Sequence, residues 1–518
     1  MTPVENQFGL VEPKDHFNDQ LLEQVHPPDW VNPKPHGRYN LVVIGAGPAG
    51  LIVASGAAGL GARVALVERH LMGGDCLISG CVPSKAMIRS ATARADIAAA
   101  TNFGIRVPDG VDVDFARVME RIREVRAGIS HMDGAKRFSE ELNVDVFMGS
   151  ATFSGSETLQ VGDRTLRFRR AVITTGARAF HPPLKGLAEA GYLTNETVFS
   201  LTEQPGRLAV IGGGPIGSEL AQSFQRLGSK VTLLHSGSHI LNREDPDAAE
   251  IVQKILVREG MDLVLDVKIT RIEKKGDEKI LHFESRGKSD SIAVDEILVG
   301  AGRAPNVEGM GLENVDVKFD VKRGIEVDDT LRTTNPNIFA AGDCCMDWKF
   351  THAADAAARI VIQNSLFKGQ KKLSSLIMPW CTYTDPEIAH VGLYERDAEI
   401  QNIPIETFIQ PLDDNDRARC DGETEGFAKV HVSKKAGLLG RGGGQIVGAT
   451  IVARQAGDMI NELTLAMHAK ISLGTLGGII HPYPTQAEII KRLGDAYNRT
   501  KLTPPVQKWM ERWLSWTR

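Results

Sequence analysis

Short apolar runs, glycine-rich turns and Ala-rich stretches follow one another early in the chain. Residues 40–44 form an apolar run typical of a buried strand, and the glycine turn 45–50 comes directly after it. An Ala-rich stretch of helical character follows, and residues 62–68 then predict a second strand. This order of strand, glycine turn, helix and strand is typical of a βαβ unit.

The same succession returns further along the chain. Its strand, glycine turn, helix and second strand are predicted over 208–211, 212–217, 218–227 and 230–234. Gly45 to Glu68 and Gly212 to His235 both span 23 positions. One glycine turn is weak evidence, but two matching copies predict an α/β fold with two Rossmann-like dinucleotide-binding domains.

Outside the two copies the pattern is less regular. Helical stretches are expected at 85–99 and 115–142, and mixed α+β structure is expected from about residue 376 onward. The first 37 residues are polar and contain several prolines, which predicts an extended arm rather than part of the core.

Composition narrows the class of protein. The chain has 518 residues, 42% hydrophobic and 24% charged, as expected for a folded globular protein. A net charge of −5 gives no electrostatic reason to bind nucleic acid. No apolar run is long enough to span a bilayer, and the first twenty residues do not resemble a signal peptide. Six cysteines are too few for a disulfide scaffold, so we expect a cytoplasmic protein.

The glycine turns have the pattern that binds a dinucleotide pyrophosphate. In such turns the first glycine permits the tight bend, the second lets the backbone approach phosphate, and the third lets helix and strand pack closely. We therefore assign cofactor binding to Gly45, Gly47 and Gly50, and in the second copy to Gly212, Gly214 and Gly217.

The residue that ends each second strand bears on the choice of dinucleotide. Glu68 can accept a hydrogen bond from a ribose 2′-hydroxyl, whereas the second copy has His235 at this place. A carboxylate would repel a 2′-phosphate, so its absence favours NADPH over NADH. In the alternative interpretation, His235 has no effect on the selection between NADPH and NADH.

Two cysteines follow the first βαβ unit. On a straight helix, the Cα atoms of Cys76 and Cys81 would lie about 7.5 Å apart from the helical rise alone, too far for a disulfide. If they bridge, Cys76 must therefore lie on the preceding loop or a distorted turn, with Gly80 providing freedom. Pro83 suits a first helical turn, and the helix dipole and Lys85 would both favour a Cys81 thiolate. A buried structural pair and a zinc site are the alternatives.

These motifs together resemble the FAD-dependent pyridine nucleotide–disulfide oxidoreductases, which include dihydrolipoyl dehydrogenase, glutathione reductase and mercuric reductase. The resemblance covers roughly residues 38–495. Besides the first glycine turn, the matching motifs are GGDCLISGCVPSK (73–85), TTGAR (174–178), GGGPIGSELA (212–221), GAGRAPN (300–306), IFAAGDC (338–344), THAADAAAR (351–359) and YTDPEIAHVG (383–392).

The resemblance implies FAD and NADPH or NADH as cofactors and assigns roles to individual residues. Cys81 would form the charge-transfer contact with FAD, and Cys76 would attack the substrate. Lys85 and Glu219 would pair near the junction of flavin and nicotinamide, and Asp343 would bind the ribityl or phosphate region of the flavin. Further cofactor contacts are implied at Thr174, Gly176, Gly302, Gly342 and His352, the last of which could instead line a dimer interface. Asp75 stands where the family has threonine, and no role is assigned to it.

The resemblance also implies a homodimer and a division of the chain. The segments are an N-terminal extension (1–37), the first part of the FAD-binding domain (38–195), the NAD(P)-binding domain (196–315), the second part of the FAD-binding domain (316–375), the dimerisation domain (376–495) and a basic, Trp-rich tail (496–518).

One departure from the family concerns the acceptor. The disulfide reductases end in His-Pro-Thr-x-x-Glu, where the histidine serves as acid and base for the leaving thiol. Here Tyr483 stands in place of that histidine, with Glu488 retained and His481 two positions upstream. A phenol does not shuttle protons at pH 7 as imidazole does. His481 could take over the proton role, or it could be a structural residue of the loop.

Tyrosine at this place resembles mercuric reductase, as does the run Arg243–Pro246, although the C-terminal cysteine pair and N-terminal Cys-x-x-Cys domain of those enzymes are not found in this sequence. We therefore expect a mercuric-reductase-like enzyme that reduces a soft metal ion or a similar thiol-reactive oxidant, with no resident metal. One alternative is a dihydrolipoyl dehydrogenase-type disulfide reductase. Another is a membrane-docked electron-transfer flavoprotein, because residues 506–514 predict an amphipathic helix. Such a helix more often docks on its own protein.

Overall fold

The computed structural model describes residues 11–434 and 443–518, which form two compact units. Unit 1 contains the residues up to Ser238 together with Met261–Leu376. Unit 2 contains His239–Gly260 and the residues from Ile377 onward. The functional labels given to the six predicted segments stay predictions.

The strands and helices of the described residues are numbered here in chain order. The strands are β1 (Arg38–Ile44), β2 (Val64–Glu68), β3 (Asp145–Met148), β4 (Ala151–Gly155), β5 (Thr158–Val161), β6 (Arg164–Ile173), β7 (Ala177–Ala179), β8 (Arg207–Ile211), β9 (Lys230–Leu234), β10 (Asp262–Val264), β11 (Val267–Lys275), β12 (Glu278–Ser285), β13 (Lys288–Val294), β14 (Glu296–Val299), β15 (Arg303–Pro305), β16 (Phe319–Asp320), β17 (Gly324–Ile325), β18 (Ile338–Ala340), β19 (Pro379–Thr382), β20 (Glu387–Gly392), β21 (Ile405–Pro411), β22 (Phe427–Ser433) and β23 (Ile446–Ala453). The helices are α1 (His16–Val25), α2 (Pro48–Gly59), α3 (Gly74–Ile78), α4 (Cys81–Ala99), α5 (Phe115–Ser130), α6 (Leu187–Ala190), α7 (Pro215–Leu227), α8 (Pro246–Arg258), α9 (Thr351–Phe367), α10 (Glu395–Ile400), α11 (Asp416–Asp421), α12 (Ala456–His468), α13 (Leu473–Leu476), α14 (Glu488–Arg499) and α15 (Pro504–Trp516).

The first predicted βαβ unit lies at the centre of a seven-stranded sheet in unit 1. The strand order is β3-β2-β1-β6-β5-β4, with β18 also paired to β6. Strands β1, β2, β3, β6 and β18 run parallel, and β5 and β4 extend the sheet as antiparallel strands. Strand β2 and the last four residues of β1 are buried throughout, which explains their continuous apolar sequence.

The second βαβ unit lies in a four-stranded parallel sheet of order β10-β9-β8-β14; between β10 and β14 in the chain, strands β11, β12 and β13 form a separate antiparallel sheet. Helix α7 begins at Pro215, three residues before the predicted start, and α2 likewise begins at Pro48. Proline suits the first position of a helix because its missing N–H is not needed there. Both predicted Rossmann-like units, and with them the α/β fold class, are confirmed.

Unit 2 contains a five-stranded antiparallel sheet of order β19-β20-β23-β22-β21 with α12 packed against it. The segment 239–260 attaches to this unit through buried polar groups. Glu244 accepts hydrogen bonds from Trp380 Nε1 at 3.0 Å and from the Tyr394 hydroxyl at 2.7 Å. Lys429 lies 2.9 Å from Asp245.

The prediction of an extended arm over residues 1–37 is wrong for residues 16–25, which form α1; residues 1–10 lie outside the described residues. Leu21 and Val25 are fully buried, and the amide of Asn18 accepts a hydrogen bond from buried Arg126 at 2.7 Å. Prolines flank this short helix on both sides, and they led to the prediction of an extended segment despite the amphipathic pattern between them.

The predicted helical stretch over 115–142 is interrupted: α5 ends at Ser130, a 3₁₀ turn covers His131–Asp133, Gly134 is extended, and a short π-helical segment follows over Arg137–Glu141. The C-terminal helix is present as α15. Within the described ranges, no helix is long and apolar enough to cross a membrane.

Candidate active site

In the first glycine turn, two of the three predicted glycines have no room for a side chain, and the third has room for one. A Cβ on Gly45, which has φ +101°, would lie 2.5 Å from the Thr174 carbonyl oxygen. A Cβ on Gly50 would lie 1.8 Å from the Gly45 carbonyl oxygen. At Gly47, by contrast, the nearest atom would be 3.9 Å away. The outer glycines are therefore required by packing, and the middle one leaves a surface at the start of α2 on which a phosphate can lie.

The second turn repeats this arrangement. A Cβ on Gly212 would lie 2.6 Å from the Gly300 carbonyl oxygen, and one on Gly217 would lie 1.9 Å from the Gly212 carbonyl oxygen. Around Gly214 nothing lies within 4 Å of the position that a Cβ would take. Both turns thus suit a pyrophosphate at a helix N-terminus.

The residues that end β2 and follow β9 occupy equivalent places. Glu68 Oε2 accepts the Ala46 N–H at 2.7 Å, and Oε1 accepts the His70 N–H at 2.8 Å. In the second unit, His235 Nδ1 accepts the Gly213 N–H at 3.1 Å. An imidazole nitrogen therefore replaces the carboxylate as acceptor, without adding a negative charge.

The two cysteines lie on separate short elements. Cys76 is on α3, and Cys81 is the first residue of α4, so the pair does not lie on one straight helix. Gly80 joins the helices, and a Cβ there would lie 2.8 Å from the Asp75 carbonyl oxygen. Cys81 Sγ lies 3.4 Å from the hydroxyl oxygen of Thr351, which begins α9. Two helix N-termini therefore meet at the Cys81 sulfur.

The two thiols hydrogen-bond to each other, and this contact separates their ionisation. A hydrogen bond from Cys76, with further contributions from Thr351 and Lys85, lowers the pKa of Cys81 to about 6. The same contact with Cys81, together with burial, raises the pKa of Cys76 well above its usual range. The contact therefore favours the thiolate at Cys81 and the thiol at Cys76.

Lys85 and Glu219 form an ion pair with a distance of 2.9 Å between Nζ and Oε2. Lys85 lies one turn after Cys81 on α4, and Glu219 is buried on α7. The pair thus joins the cysteine helix to the helix that follows the second glycine turn.

Arg303 connects the cysteine segment to the Gly342-Asp343 turn, a contact that the sequence analysis missed. Its Nη1 lies 3.0 Å from Asp75 Oδ2, and its Nε lies 3.5 Å from Asp343 Oδ2. Asp75 also accepts hydrogen bonds from Ser79 Oγ at 2.8 Å and from Asn195 Nδ2 at 3.1 Å. Two signals in the sequence could have suggested the contact: an acid in place of threonine, and an arginine within the GAGRAPN motif.

Asp343 is the residue predicted to bind the flavin ribityl or phosphate region. Burial raises the pKa of Asp343, while Arg303 and Lys349 act to lower it. Gly342 has φ +82°, and a Cβ there would lie 3.5 Å from that of Ala49 on α2. The turn that carries Asp343 therefore packs against the helix after the first glycine turn.

The remaining predicted cofactor residues lie at strand ends and at one helix start. Thr174 Oγ1 donates to the carbonyl oxygens of Ile44 at 2.9 Å and Gly45 at 2.8 Å. Gly176 and Gly302 both have positive φ, and nothing lies within 4 Å of the place where either would carry a Cβ. The exposed ring of His352, on α9, stacks on Phe350 with 5.3 Å between ring centroids.

Tyr483 and Glu488, which belong to unit 2, have separate partners. The Tyr483 hydroxyl donates to Asp416 Oδ2 at 3.0 Å, and this hydrogen bond raises the pKa of Tyr483. Glu488 Oε1 lies 3.6 Å from Arg492 Nε. Tyr483 is highly exposed, so its phenol is accessible, but it is a poor proton donor at neutral pH.

Both ring nitrogens of His481 lie within hydrogen-bond distance of oxygen atoms of unit 2. Its Nε2 lies 3.0 Å from Glu462 Oε1, and its Nδ1 lies 3.2 Å from the Ile479 carbonyl oxygen. Both ring nitrogens are thus engaged within the chain. These contacts agree with a structural histidine.

The chain matches family models over most of its length. The model described as pyridine nucleotide-disulphide oxidoreductase matches residues 39–358, and the dimerisation domain of the same family matches residues 378–493. The chain belongs to the pyridine nucleotide-disulphide oxidoreductase family. The resemblance stated from the motifs is confirmed.

Similar proteins of this family carry two different names. A mercuric reductase of Staphylococcus aureus is 34% identical over 457 residues, which are 88% of this chain and 82% of the relative. A dihydrolipoyl dehydrogenase of Geobacillus stearothermophilus is 33% identical over 452 residues, 86% of this chain and 94% of the relative. Among solved structures, a Cu(II) complex of the HOCl-induced flavoprotein disulfide reductase RclA from Escherichia coli is similar, with a TM-score of 0.79, 28% identity and coverage of 89% of this chain and 100% of that chain.

Members of this family depend on FAD and use NAD(P)H as the electron donor, and the dimerisation domain indicates a homodimer. The residues of unit 1 fit both dinucleotides, because each of the two turns has an open middle glycine between two crowded ones. Among the residues that the structure describes, no cluster of three His, Cys, Asp or Glu side chains suits a metal ion.

Proposed function

We propose that this enzyme transfers electrons from NAD(P)H through the pair Cys76 and Cys81 to a thiol-reactive acceptor, and that the acceptor is a soft metal ion. The observation that carries the proposal is the placement of the pair: Cys81 begins α4, one turn before Lys85 and with its sulfur 3.4 Å from the Thr351 hydroxyl oxygen, and Cys76 lies on the preceding short helix, an arrangement that favours a thiolate at Cys81. A dithiol in this state is a two-electron donor whose sulfurs are ready to bind a soft metal.

FAD, when bound, supplies the two-electron chemistry that links NAD(P)H to the cysteine pair. We assign its pyrophosphate to the turn 45–50, its adenosine ribose to Glu68 and its ribityl or phosphate region to Asp343. The turn 212–217 would hold the NAD(P)H pyrophosphate. The ion pair of Lys85 and Glu219 joins α4, which begins with Cys81, to α7, which follows the turn 212–217. It would therefore fix the position of the cysteine pair relative to the NAD(P)H site.

The chemical step at the cysteines balances without an outside acid. When the reduced pair binds a divalent soft metal ion, the two sulfurs give up their remaining proton and ligate the metal. Two electrons then leave the sulfurs as Cys76 and Cys81 form a disulfide; one Hg(II) ion takes both and becomes the neutral element, or two Cu(II) ions take one each and become Cu(I). No leaving thiolate is produced, so no proton has to be donated to one.

Reduction of a disulfide substrate makes a different demand. One sulfur of the substrate leaves as a thiolate, and an acid with a pKa near 7 assists its departure. Tyr483 stands at the place of the family's histidine. The ordinary pKa of a phenol, near 10, is too high for proton donation at pH 7, and the hydrogen bond to Asp416 raises the pKa of Tyr483 further. This supports a metal ion over a disulfide as the acceptor. The mercuric reductases among the similar proteins support the same choice.

A dihydrolipoyl dehydrogenase-type activity is the second candidate. The pairing of His481 with Glu462 has the composition of a histidine–carboxylate dyad, and relatives named dihydrolipoyl dehydrogenase match nearly as well as mercuric reductases. In that case His481, rather than Tyr483, would supply the proton.

The test is steady-state NADPH oxidation by the FAD-loaded enzyme against Hg(II) with excess thiol, Cu(II), lipoamide and oxidised glutathione. We expect turnover with at least one metal and negligible turnover with both disulfides. Cys76→Ser and Cys81→Ser should each abolish metal reduction, and Cys420→Ser, at an exposed cysteine outside the pair, is the matched control. Rapid lipoamide turnover with the metals inert would exclude the proposal.

Two further variants separate the candidates. Tyr483→His restores an imidazole at the family position and should raise disulfide reduction while leaving metal reduction largely unchanged. His481→Ala should leave metal reduction intact. If His481→Ala instead removes a wild-type disulfide activity, the second candidate is correct.

A further inference from the structure

The C-terminal helix α15 has an apolar face that the described residues do not cover. None of its residues is buried, and every residue from Arg499 to the last is exposed. Trp509, Trp513 and Trp516 are 63%, 51% and 78% exposed. The rings of Trp509 and Trp513 stack at 6.2 Å between centroids, so the tryptophans form one continuous surface along the helix.

Apolar and polar residues occupy separate faces of α15. At 100° per residue, the apolar residues span an arc of about 160°, and the polar residues fill the opposite side. The apolar face consists of Val506, Trp509, Met510, Trp513, Leu514 and Trp516. The polar face consists of Gln507, Lys508, Glu511, Arg512 and Ser515. Arg512 therefore borders the tryptophan edge of the apolar face, and Lys508, one turn earlier, lies further into the polar face.

Charge distinguishes this helix from the rest of the chain. Residues 500–518 contain four basic residues and one acidic residue, a net charge of +3. Because the whole chain has a net charge of −5, the other residues together carry −8. The C-terminal segment that contains α15 is therefore complementary in charge to an anionic surface.

We propose that α15 binds in the plane of an anionic phospholipid bilayer. Tryptophan rings favour the membrane–water interface, where the apolar ring and the indole N–H are both satisfied. Arg512, at the edge of the apolar face, is placed to reach a lipid phosphate while its stem stays in the apolar layer, and Lys508 adds positive charge from the polar face. With 13 residues the helix is too short to span a bilayer, so it lies on the surface.

The experiment is co-sedimentation of the full-length FAD-loaded enzyme with vesicles of phosphatidylcholine alone or of equimolar phosphatidylcholine and phosphatidylglycerol. We expect binding to the anionic vesicles, at least about tenfold weaker binding to the neutral ones, and weakening by salt. Trp509→Ser/Trp513→Ser should abolish binding. Lys508→Ala/Arg512→Ala should weaken it by about 30-fold, since each basic residue near an anionic bilayer contributes about five- to sixfold.

The matched control is Gln507→Ala/Ser515→Ala on the polar face, which should bind as the unchanged enzyme does. Metal reduction should be the same in all variants, because α15 contains none of the residues assigned to the reaction, so a defect in binding is distinguishable from a defect in catalysis. Absence of binding to anionic vesicles, or binding that survives the tryptophan substitutions, would overturn the proposal. Concentration-dependent self-association abolished by those substitutions, without vesicle binding, would assign the face to a second copy instead.

Discussion

The hydrogen bond from Thr351 to Cys81 offers a direct test of how the thiolate is stabilised. Thr351→Val keeps the shape of the side chain but removes the hydroxyl that lies 3.4 Å from Cys81 Sγ. A hydrogen bond to a charged group contributes about 1.5–3 kcal/mol, and one pKa unit corresponds to about 1.4 kcal/mol. Because Cys76 and Lys85 still favour the thiolate, we expect the lower end of this range.

The pKa of Cys81 should therefore rise by about one unit, from about 6 to about 7. A lowered pKa means that the thiolate is lost as pH falls through that value, so the substitution moves the loss to higher pH. At pH 6 the ionised fraction should fall from about one half to about one tenth. Titration of the reduced protein, followed by the Cβ chemical shifts of isotopically labelled cysteine, measures this for each thiol; Cys81→Ser assigns its signal.

Thr351→Ser retains the hydroxyl and is the control, with an expected pKa close to that of the unchanged protein. If Thr351→Val leaves the pKa of Cys81 where it was, or if Thr351→Ser shifts it as far, then the hydroxyl does not stabilise the thiolate. The pKa would in that case depend on Cys76 and Lys85 alone.

Three other predictions concern cofactor choice and stability. His235→Glu adds a carboxylate that repels a 2′-phosphate, so kcat/KM for NADPH relative to NADH should fall about tenfold or more; an unchanged ratio would mean that this position does not select the cofactor. Asn18→Ala removes an acceptor from buried Arg126 and should lower the free energy of unfolding in urea by about 2–3 kcal/mol, whereas exposed Gln20→Ala should change it little. Burial raises the pKa of Glu387 from 4.5 to about 7, so this group makes stability fall by about 1.4 kcal/mol per unit as pH rises between those values. Glu387→Gln should flatten that part of the pH–stability curve, and an unaltered slope would contradict the assignment.

The sequence predicted elements whose signals are local. Strands β1, β2, β8 and β9 agree with the predicted runs to within two residues at each end, because continuous apolar residues bounded by glycine turns identify buried parallel strands. The start of α4 at the cysteine pair was also close to the expected position, since Gly80 and Pro83 mark a helix N-terminus.

Contacts between distant parts of the chain could not be predicted in this way. The ion pairs of Arg303 with Asp75 and Asp343 join three separate motifs: Asp75 and Arg303 each stand out within their own motif, but neither motif indicates which residue the other contacts. The same applies to α1, whose buried side chains have a partner only because α5 lies beside it. Likewise, the pairing of His481 with Glu462 depends on how two elements of unit 2 pack, which the sequence does not give.

Helix α1 has a practical consequence for handling the protein. The backbone carbonyl of Val25 accepts the Met72 N–H at 3.2 Å, and Asn32 exchanges hydrogen bonds with Met148 at the edge of the seven-stranded sheet. A version shortened to begin at β1 would lack α1 and would remove the Asn18 side chain that accepts a hydrogen bond from Arg126 Nη2. Arg126 Nη1 donates to the carbonyl oxygen of Ile78, two residues after Cys76. Trimming this leading stretch for crystallisation would therefore loosen the neighbourhood of the reactive sulfurs, and an affinity tag is better joined ahead of residue 11 with the native segment left in place.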